Sequence, residues 1–238
     1  MWVKKINGYF ESASEYDNIM LSLHFAIDFV EVLKERVEFE VKDDLMITIG
    51  LTGGIATGKS VVSDLLKKHG AFIINADLIA HELYFPGTIG FDKIVSCFGD
   101  SIVGDDGFID RTQLAKIVFS DKASMHNLNA IVHPLIYVEI QRLLAELYKQ
   151  AYLVVVVEAA ILIEAGWQKT FDQIWIVSSD TKVVMSRLKN RNGFNSEEAL
   201  KRISSQMNSD ERFKYADVII ENNEDMEALA STIDALWT

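Results

Sequence analysis

The sequence predicts an α/β fold in three layers, with a five-stranded parallel sheet between two coats of helices. Three observations predict it. Five short apolar runs, too continuous for strands with one wet face, alternate along the chain with helical segments. A glycine-rich turn joins the first run directly to a helix. An apolar content of 49% over 238 residues supports one sizeable core with appendages rather than two equal domains.

The elements follow in order. Residues 46–52 (MITIGLT) read as a buried strand, and residues 59–69 as a helix stopped by Gly70. Residues 71–76 read as a second strand, and 77–85 as a helix ended by Pro86-Gly87. Helices are expected over 90–98, 110–119 and 123–149, with a turn-rich loop at 99–107. The third strand is 152–158 (YLVVVVE), the fourth 172–178 and the fifth 217–221. Helices over 181–191, 196–207 and 224–236 complete the alternation. Residues 87–150 are too long for one crossover, so they form a helical subdomain over the strand ends.

Residues 1–45 stand apart, with ten acidic and five basic residues. Positions 18–37 carry apolar residues at helical spacing, which predicts one amphipathic helix. The segment reads as an accessory extension, and 46–238 as the main domain. The formal net charge of −12 repels a phosphate backbone, which argues against extended nucleic-acid binding. It leaves room for a small phosphorylated ligand held by local cations. The single cysteine, Cys97, reads as a small buried apolar residue in a reducing compartment. No apolar run reaches the roughly 20 residues of a membrane span, and no secretory pattern opens the chain. The expected setting is the cytoplasm, with no membrane association.

Gly53-Gly54-Ile55-Ala56-Thr57-Gly58-Lys59-Ser60 fits G-x-x-x-x-G-K-[ST]. Glycines let successive N–H groups converge on phosphate oxygens, and the helix that follows points its positive end at the same place. Lys59 is placed for the β- and γ-phosphates of ATP, Ser60 for Mg²⁺, and Val61 continues the cradle into the helix. By composition the string arises by chance in about one chain in a hundred of this length. Its position between a strand and a helix makes it a P-loop. None of the thirteen glycines has an Asp three residues before it, and Asn-Lys-x-Asp is absent, which argues against a guanine-nucleotide switch.

A phosphotransferase also needs an acceptor site and a proton acceptor. Ligands of open parallel sheets lie beyond the carboxyl ends of the strands. Asp77 and His81 follow the second strand, four apart on one helical face. Asp77 reads as a base for an acceptor hydroxyl, or as a plain helix cap. His81 reads as an acceptor contact or as a surface residue. Glu158 ends the third strand and reads as a magnesium residue, or as half of a salt bridge, and Glu164 is a weaker candidate. Arg187 and Arg191 share a helical face beside Asn192-Gly193, which fits a lid over ATP phosphates, at about 187–206, or a solvated face. Arg202 and Gln206 repeat that spacing beyond the loop. Arg111 and His133 lie in the insertion as further acceptor candidates.

Together these residues resemble the dephospho-coenzyme A kinase family. The matching strings run in order from Ile49-Gly50-Leu51-Thr52 and the P-loop through Ala76-Asp77, Pro86-Gly87 and Phe98-Gly99. Asp106-Gly107-x-Ile109-Asp110-Arg111, Val118-Phe119, Leu128-Asn129-x-Ile131-x-His133-Pro134 and Leu162-Ile163-Glu164-x-Gly166 follow. Arg187-Leu188-x-x-Arg191 and Arg202-Ile203-x-x-Gln206-Met207 complete the set. The resemblance covers residues 46–236 and says nothing of 1–45. It implies transfer of the γ-phosphate of ATP to the ribose 3′-hydroxyl of dephospho-coenzyme A. It also implies Asp77 as base, Lys59 and Arg187 at the phosphates, Arg191 on the ATP side and an acceptor subdomain over 87–150. A monomer or small homo-oligomer is expected. Asn75, His81, Glu158 and Ala159-Ala160 depart from the family's usual Asp, Arg, Asp and apolar-Pro. Two rival readings stand beside it. One is another nucleoside monophosphate or small-metabolite kinase, and the other a non-catalytic nucleotide-binding module.

Overall fold

Parallel strands alternate their side chains between two faces, and both faces need apolar cover. The computed structural model describes residues 46–237, and shows how these runs meet that need. The helix expected over 18–37, with the rest of the extension, lies outside the described residues. The strands are β1 (Ile47–Gly53), β2 (Phe72–Asn75), β3 (Val154–Glu158), β4 (Gln173–Ser178) and β5 (Val218–Glu221). All pairs are parallel, in the order β2-β3-β1-β4-β5. The helices are α1 (Lys59–Lys68), α2 (Ala76–Glu82), α3 (Ile89–Phe98), α4 (Arg111–Ser120) and α5 (Lys122–Lys149). They continue as α6 (Thr181–Asn192), α7 (Ser196–Ser204), α8 (Ser209–Phe213) and α9 (Met226–Trp237).

Val156 faces one side of the sheet with Ile49, Leu51 and Trp175, under α1 and α9. Val155 and Val157 face the other side with Ile174 and Ile176, under α5. That two-sided burial is why the third strand reads as an unbroken apolar run. Leu51 and Leu66 are fully buried, and each such side chain contributes about 1.5–3 kcal/mol. The register aligns Glu158 with both Leu51 and Asn75. The ends of β1, β2 and β3 therefore deliver Gly53, Asn75 and Glu158 to one edge of the sheet.

Three local readings change. The helix after β2 starts at Ala76, because the Asn75 Oδ1 accepts from the N–H groups of Asp77 and Leu78 at 3.0 and 3.1 Å. The helix expected over 196–207 stops at Ser204, and Asn208 caps the separate short helix α8. Cys97 is exposed rather than buried. The inward face of α3 centres on Ile94, with Phe91, Val95 and Phe98 packed against the same core, and Cys97 lies at the margin of that face.

Between α6 and α7 the chain turns on Gly193, whose φ of 69° lies in the left-handed region that favours glycine. Asn195 then caps α7 reciprocally: its Oδ1 accepts from the Glu198 N–H, and Glu198 Oε2 accepts from the Asn195 N–H, both at 2.9 Å. Val184, Leu188 and Ala199 bury a small cluster against Ile55 and Ala56, which seats this helix pair on the glycine-rich loop.

Candidate active site

The loop between β1 and α1 presents donors without acceptors. Gly58 precedes α1 with no side-chain cap, and the amides of Ala56, Gly58, Lys59 and Ser60 find no protein acceptor among the described residues. Ala56 holds a left-handed φ of 56°, which turns neighbouring N–H groups toward one point. Gly58 is required twice over. Its φ is +101°, and a Cβ there would meet Asn222 Nδ2 at 2.2 Å. The opened amides and the start of α1 form a ready anion site.

Lys59 folds over this loop, its Nζ donating to the Gly53 carbonyl at 3.4 Å. Burial pushes its proton affinity below the ordinary lysine value, while the charges of Asp77 and Glu158 oppose that fall. Arg212 and Arg191 lower it further. Two carboxylates and three cations therefore share one electrostatic neighbourhood.

Glu158 is buried, with both oxygens occupied. Oε1 accepts from Ser60 Oγ at 3.0 Å and Oε2 from Ser63 Oγ at 2.8 Å. Among the described residues no cluster of three His, Cys, Asp or Glu side chains stands ready for a metal. Ser60 and Glu158 offer one hydroxyl and one carboxylate. That donor set fits Mg²⁺, which takes few protein ligands and completes its shell with phosphate oxygens and water.

Asp77 is exposed and lines a cavity with Ala80, Tyr84, Asn129, His133 and Trp167. It is not the helix cap, since Asn75 fills that role, so its carboxylate is left for other work. His133 meets Trp167 edge to face at 6.0 Å between centroids, and burial lowers its proton affinity. His81 and Arg111 meet each other rather than standing alone. Arg111 Nη1 lies 3.0 Å from His81 Nδ1, and its guanidinium sits 5.7 Å from the centre of the Tyr84 ring.

Arg187 is committed to the loop itself. Its Nη1 donates to the carbonyls of Ala56 and Thr57 and to Ser179 Oγ, and its Nη2 to Asn222 O and Oδ1. Asn222 Nδ2 donates to the Thr57 carbonyl at 2.8 Å. These bonds point carbonyls away from the anion site. Arg191 stays exposed and lines a second cavity, of about 520 Å³, with Val61, Asn190, Asn222 and Met226. Gln206 Oε1 accepts from the Ile55 N–H at 2.7 Å, and Arg202 stacks 4.5 Å from the Phe194 ring centre. Sequence reasoning missed Asn222, Ser63, Tyr84, Trp167 and Arg212. The first four lie in ordinary-looking segments, and Arg212 hides in the charged run DERFK.

Comparison with known proteins decides the family. A family model described as dephospho-CoA kinase matches residues 47–228. The dephospho-CoA kinase of Symbiobacterium thermophilum is 41% identical over 192 residues, covering 81% of this chain and 80% of that one. That of Geobacter sulfurreducens is also 41% identical, covering 81% and 98%. This chain belongs to the dephospho-CoA kinase family. A Thermus thermophilus crystal structure superposes with a TM-score of 0.68 at 30% identity, covering 81% of this chain and 97% of that one. The dephospho-CoA kinase from Campylobacter jejuni gives 0.62 at 26%, covering 81% and 96%.

The departures from the dephospho-CoA kinase pattern now have places. An Asn at 75 accepts the two helix-start N–H groups as an Asp would, without adding charge beside Asp77. The histidine at 81 accepts or shares a hydrogen bond with Arg111 where an arginine would repel it. The longer carboxylate at 158 spans two serines. Ala159, at the apolar position of the usual apolar-Pro pair, is fully buried and donates its N–H to the Leu51 carbonyl at 3.0 Å; nothing in the structure explains the alanine at 160.

Proposed function

We propose that this chain transfers the γ-phosphoryl group of ATP to the ribose 3′-hydroxyl of dephospho-coenzyme A, giving coenzyme A and ADP. One observation carries the reading. An uncapped phosphate loop with its half-buried lysine faces an uncommitted carboxylate, Asp77, at the mouth of an aromatic-lined cavity.

The roles follow from the contacts. The amides of 56–60 and Lys59 take the phosphates of ATP, with Gly53, Gly54 and Gly58 letting the backbone close around them. Arg187 braces the loop from behind, while Arg191 and Val61 border the nucleotide cavity. Asp77 accepts the hydroxyl proton as the oxygen attacks phosphorus, the bond to the ADP oxygen breaks, and Lys59 offsets the negative charge that spreads over the transferred group. Ser60 and Glu158 would hold Mg²⁺, and the ion would supply positive charge at the phosphates of ATP.

The Asp77 cavity measures about 190 Å³, so it takes one end of an acceptor of this size rather than the whole. Tyr84, His133 and Trp167 supply flat apolar faces suited to a base or to an aliphatic arm, and the His81–Arg111 pair supplies a cation for acceptor phosphates. Residues 87–150 serve as the acceptor subdomain and about 187–206 as the lid. Among the described residues, no helix is long and apolar enough to cross a membrane.

The test is coupled ADP release by purified protein with ATP and Mg²⁺, offering dephospho-coenzyme A beside adenosine and cytidine monophosphates. Release that depends on dephospho-coenzyme A, with a product one phosphate heavier, is the expected result. A mononucleotide preference moves the chain to another small-metabolite kinase activity. Tight ATP binding with no acceptor-dependent release makes it a binding module.

A further inference from the structure

Arg212 is one of few charged side chains buried among the described residues, at 3% exposure. A guanidinium carries five N–H donors and stays charged, so its burial is costly unless those donors are met. Here one bond is made, from Nη2 to Glu164 Oε1 at 3.2 Å. Nε is buried with no partner, and Nη1 has none among the described residues. Glu164 is itself partly open to solvent, at 30%. A single contact of that length is a poor match for a residue suited to paired, two-pronged bonding to carboxylate or phosphate.

The unmet donors lie beside the phosphate loop. A Cβ built on Gly54 would sit 3.5 Å from Arg212 Nη1 and 3.7 Å from Gln206 Oε1, and that same Gln206 oxygen accepts from the Ile55 N–H. Arg212 is also near enough to Lys59 for the two cations to oppose one another. Repelling cations and orphaned donors in one place are what an arriving phosphate would satisfy together. The site is built from residues remote in sequence: α8 holds the arginine, the turn after β3 holds its carboxylate, and the loop after β1 holds the target.

We propose that Arg212 is a catalytic residue, contacting the phosphoryl group as it passes from ATP to the acceptor, with Glu164 as its positioning residue. This rests on the kinase reading above. In transfer, the acceptor oxygen bonds to phosphorus, the bridging oxygen leaves with ADP, and the proton goes to Asp77. Arg212 gains and loses no atom and acts only on the charge of the group between. The rival explanation is a structural ion pair that pins α8 to the turn at Glu164. It predicts that breaking the pair from either side has the same effect.

Full-length Arg212→Met, Arg212→Lys and Glu164→Gln are compared with the unaltered chain for kcat, both KM values and melting temperature. Loss of one preorganised donor to a developing charge costs about 10²–10³ in kcat. That loss is expected for Arg212→Met, with the ATP KM moving less than about fivefold, and a loss under about tenfold for Glu164→Gln. Guanidinium ion at millimolar concentration is expected to return part of the activity of Arg212→Met. If Arg212→Met fails to fold, Arg212→Lys keeps the charge but not the fork, and at least a tenfold kcat loss in folded protein is expected of it. A folded Arg212 variant within about threefold of the parent kcat, or equal losses in the arginine and glutamate variants, overturns the proposal. An inactive parent chain sinks the kinase reading too, whereas an active parent with unimpaired Arg212 variants sinks this inference alone.

Discussion

Asp77→Asn and Asn75→Ala separate chemistry from helix capping two residues apart. Asn75 Oδ1 accepts two N–H groups at the start of α2, so Asn75→Ala leaves both donors without that partner. Loss of such a cap costs about 1 kcal/mol, which for a domain of this size lowers the melting temperature by about 2–4 °C. Nothing in that loss touches the acceptor, and kcat is expected to stay within about tenfold. Asp77 makes no cap bond, and its carboxylate borders the cavity within the field of Lys59. Asp77→Asn keeps the shape and removes the proton acceptor. A general base contributes about 10²–10⁴, or about 2.7–5.5 kcal/mol of barrier. The expected result is a kcat at least ~100-fold lower, an ATP KM within about threefold and a melting temperature within about 2 °C. The assay is coupled ADP release with both substrates saturating, beside thermal unfolding followed by circular dichroism. Near-normal turnover in Asp77→Asn, or a larger catalytic loss in Asn75→Ala, would falsify the assignment of Asp77 as base.

Glu158→Gln keeps the size and one accepting oxygen, its amide nitrogen donating to the other serine, but removes the charge, so the Mg²⁺ concentration for half-maximal rate is expected to rise about 10–100-fold; an unchanged magnesium titration removes Glu158 from the metal site. Arg187→Ala strips partners from the Ala56 and Thr57 carbonyls and from Asn222. It is expected to cost about 1–3 kcal/mol of stability and to raise the ATP KM, read by thermal unfolding and initial rates. A fall in kcat alone would place Arg187 at the transferred phosphate instead of behind the loop. Burial holds His133 below its ordinary value of 6.5, so the unfolded chain binds the extra proton first. Its contribution is complete above about pH 6.5 and is lost as pH falls below it. Urea midpoints between pH 7.5 and 5.5 are expected to decline less in His133→Gln than in the parent.

The phosphate loop, the five strands and most helices were legible because their signals are local. An apolar run, a glycine at a tight turn or a capping pair such as Asn195 and Glu198 acts over a few residues. Asp77, Lys59, Ser60 and Glu158 stood out as candidates for the same reason, since each sits at the end of a strand or the start of a helix. Burial of Cys97 was misjudged because which side of α3 faces inward depends on what packs there.

The sequence by itself determined the order of strands and helices, the anion-binding turn and the family. Only the tertiary structure decided what each cation touches. Arg187 lies 131 residues from the Ala56 carbonyl it grips, and Arg111 lies 30 from His81. Arg212 lies 48 from Glu164, and Gln206 151 from Ile55. Local pattern fixes which residues form a helix. Whether an arginine on that helix meets water, a carbonyl or a phosphate depends on the sheet order that brings distant segments together, and on the low dielectric that makes each buried charge seek a partner.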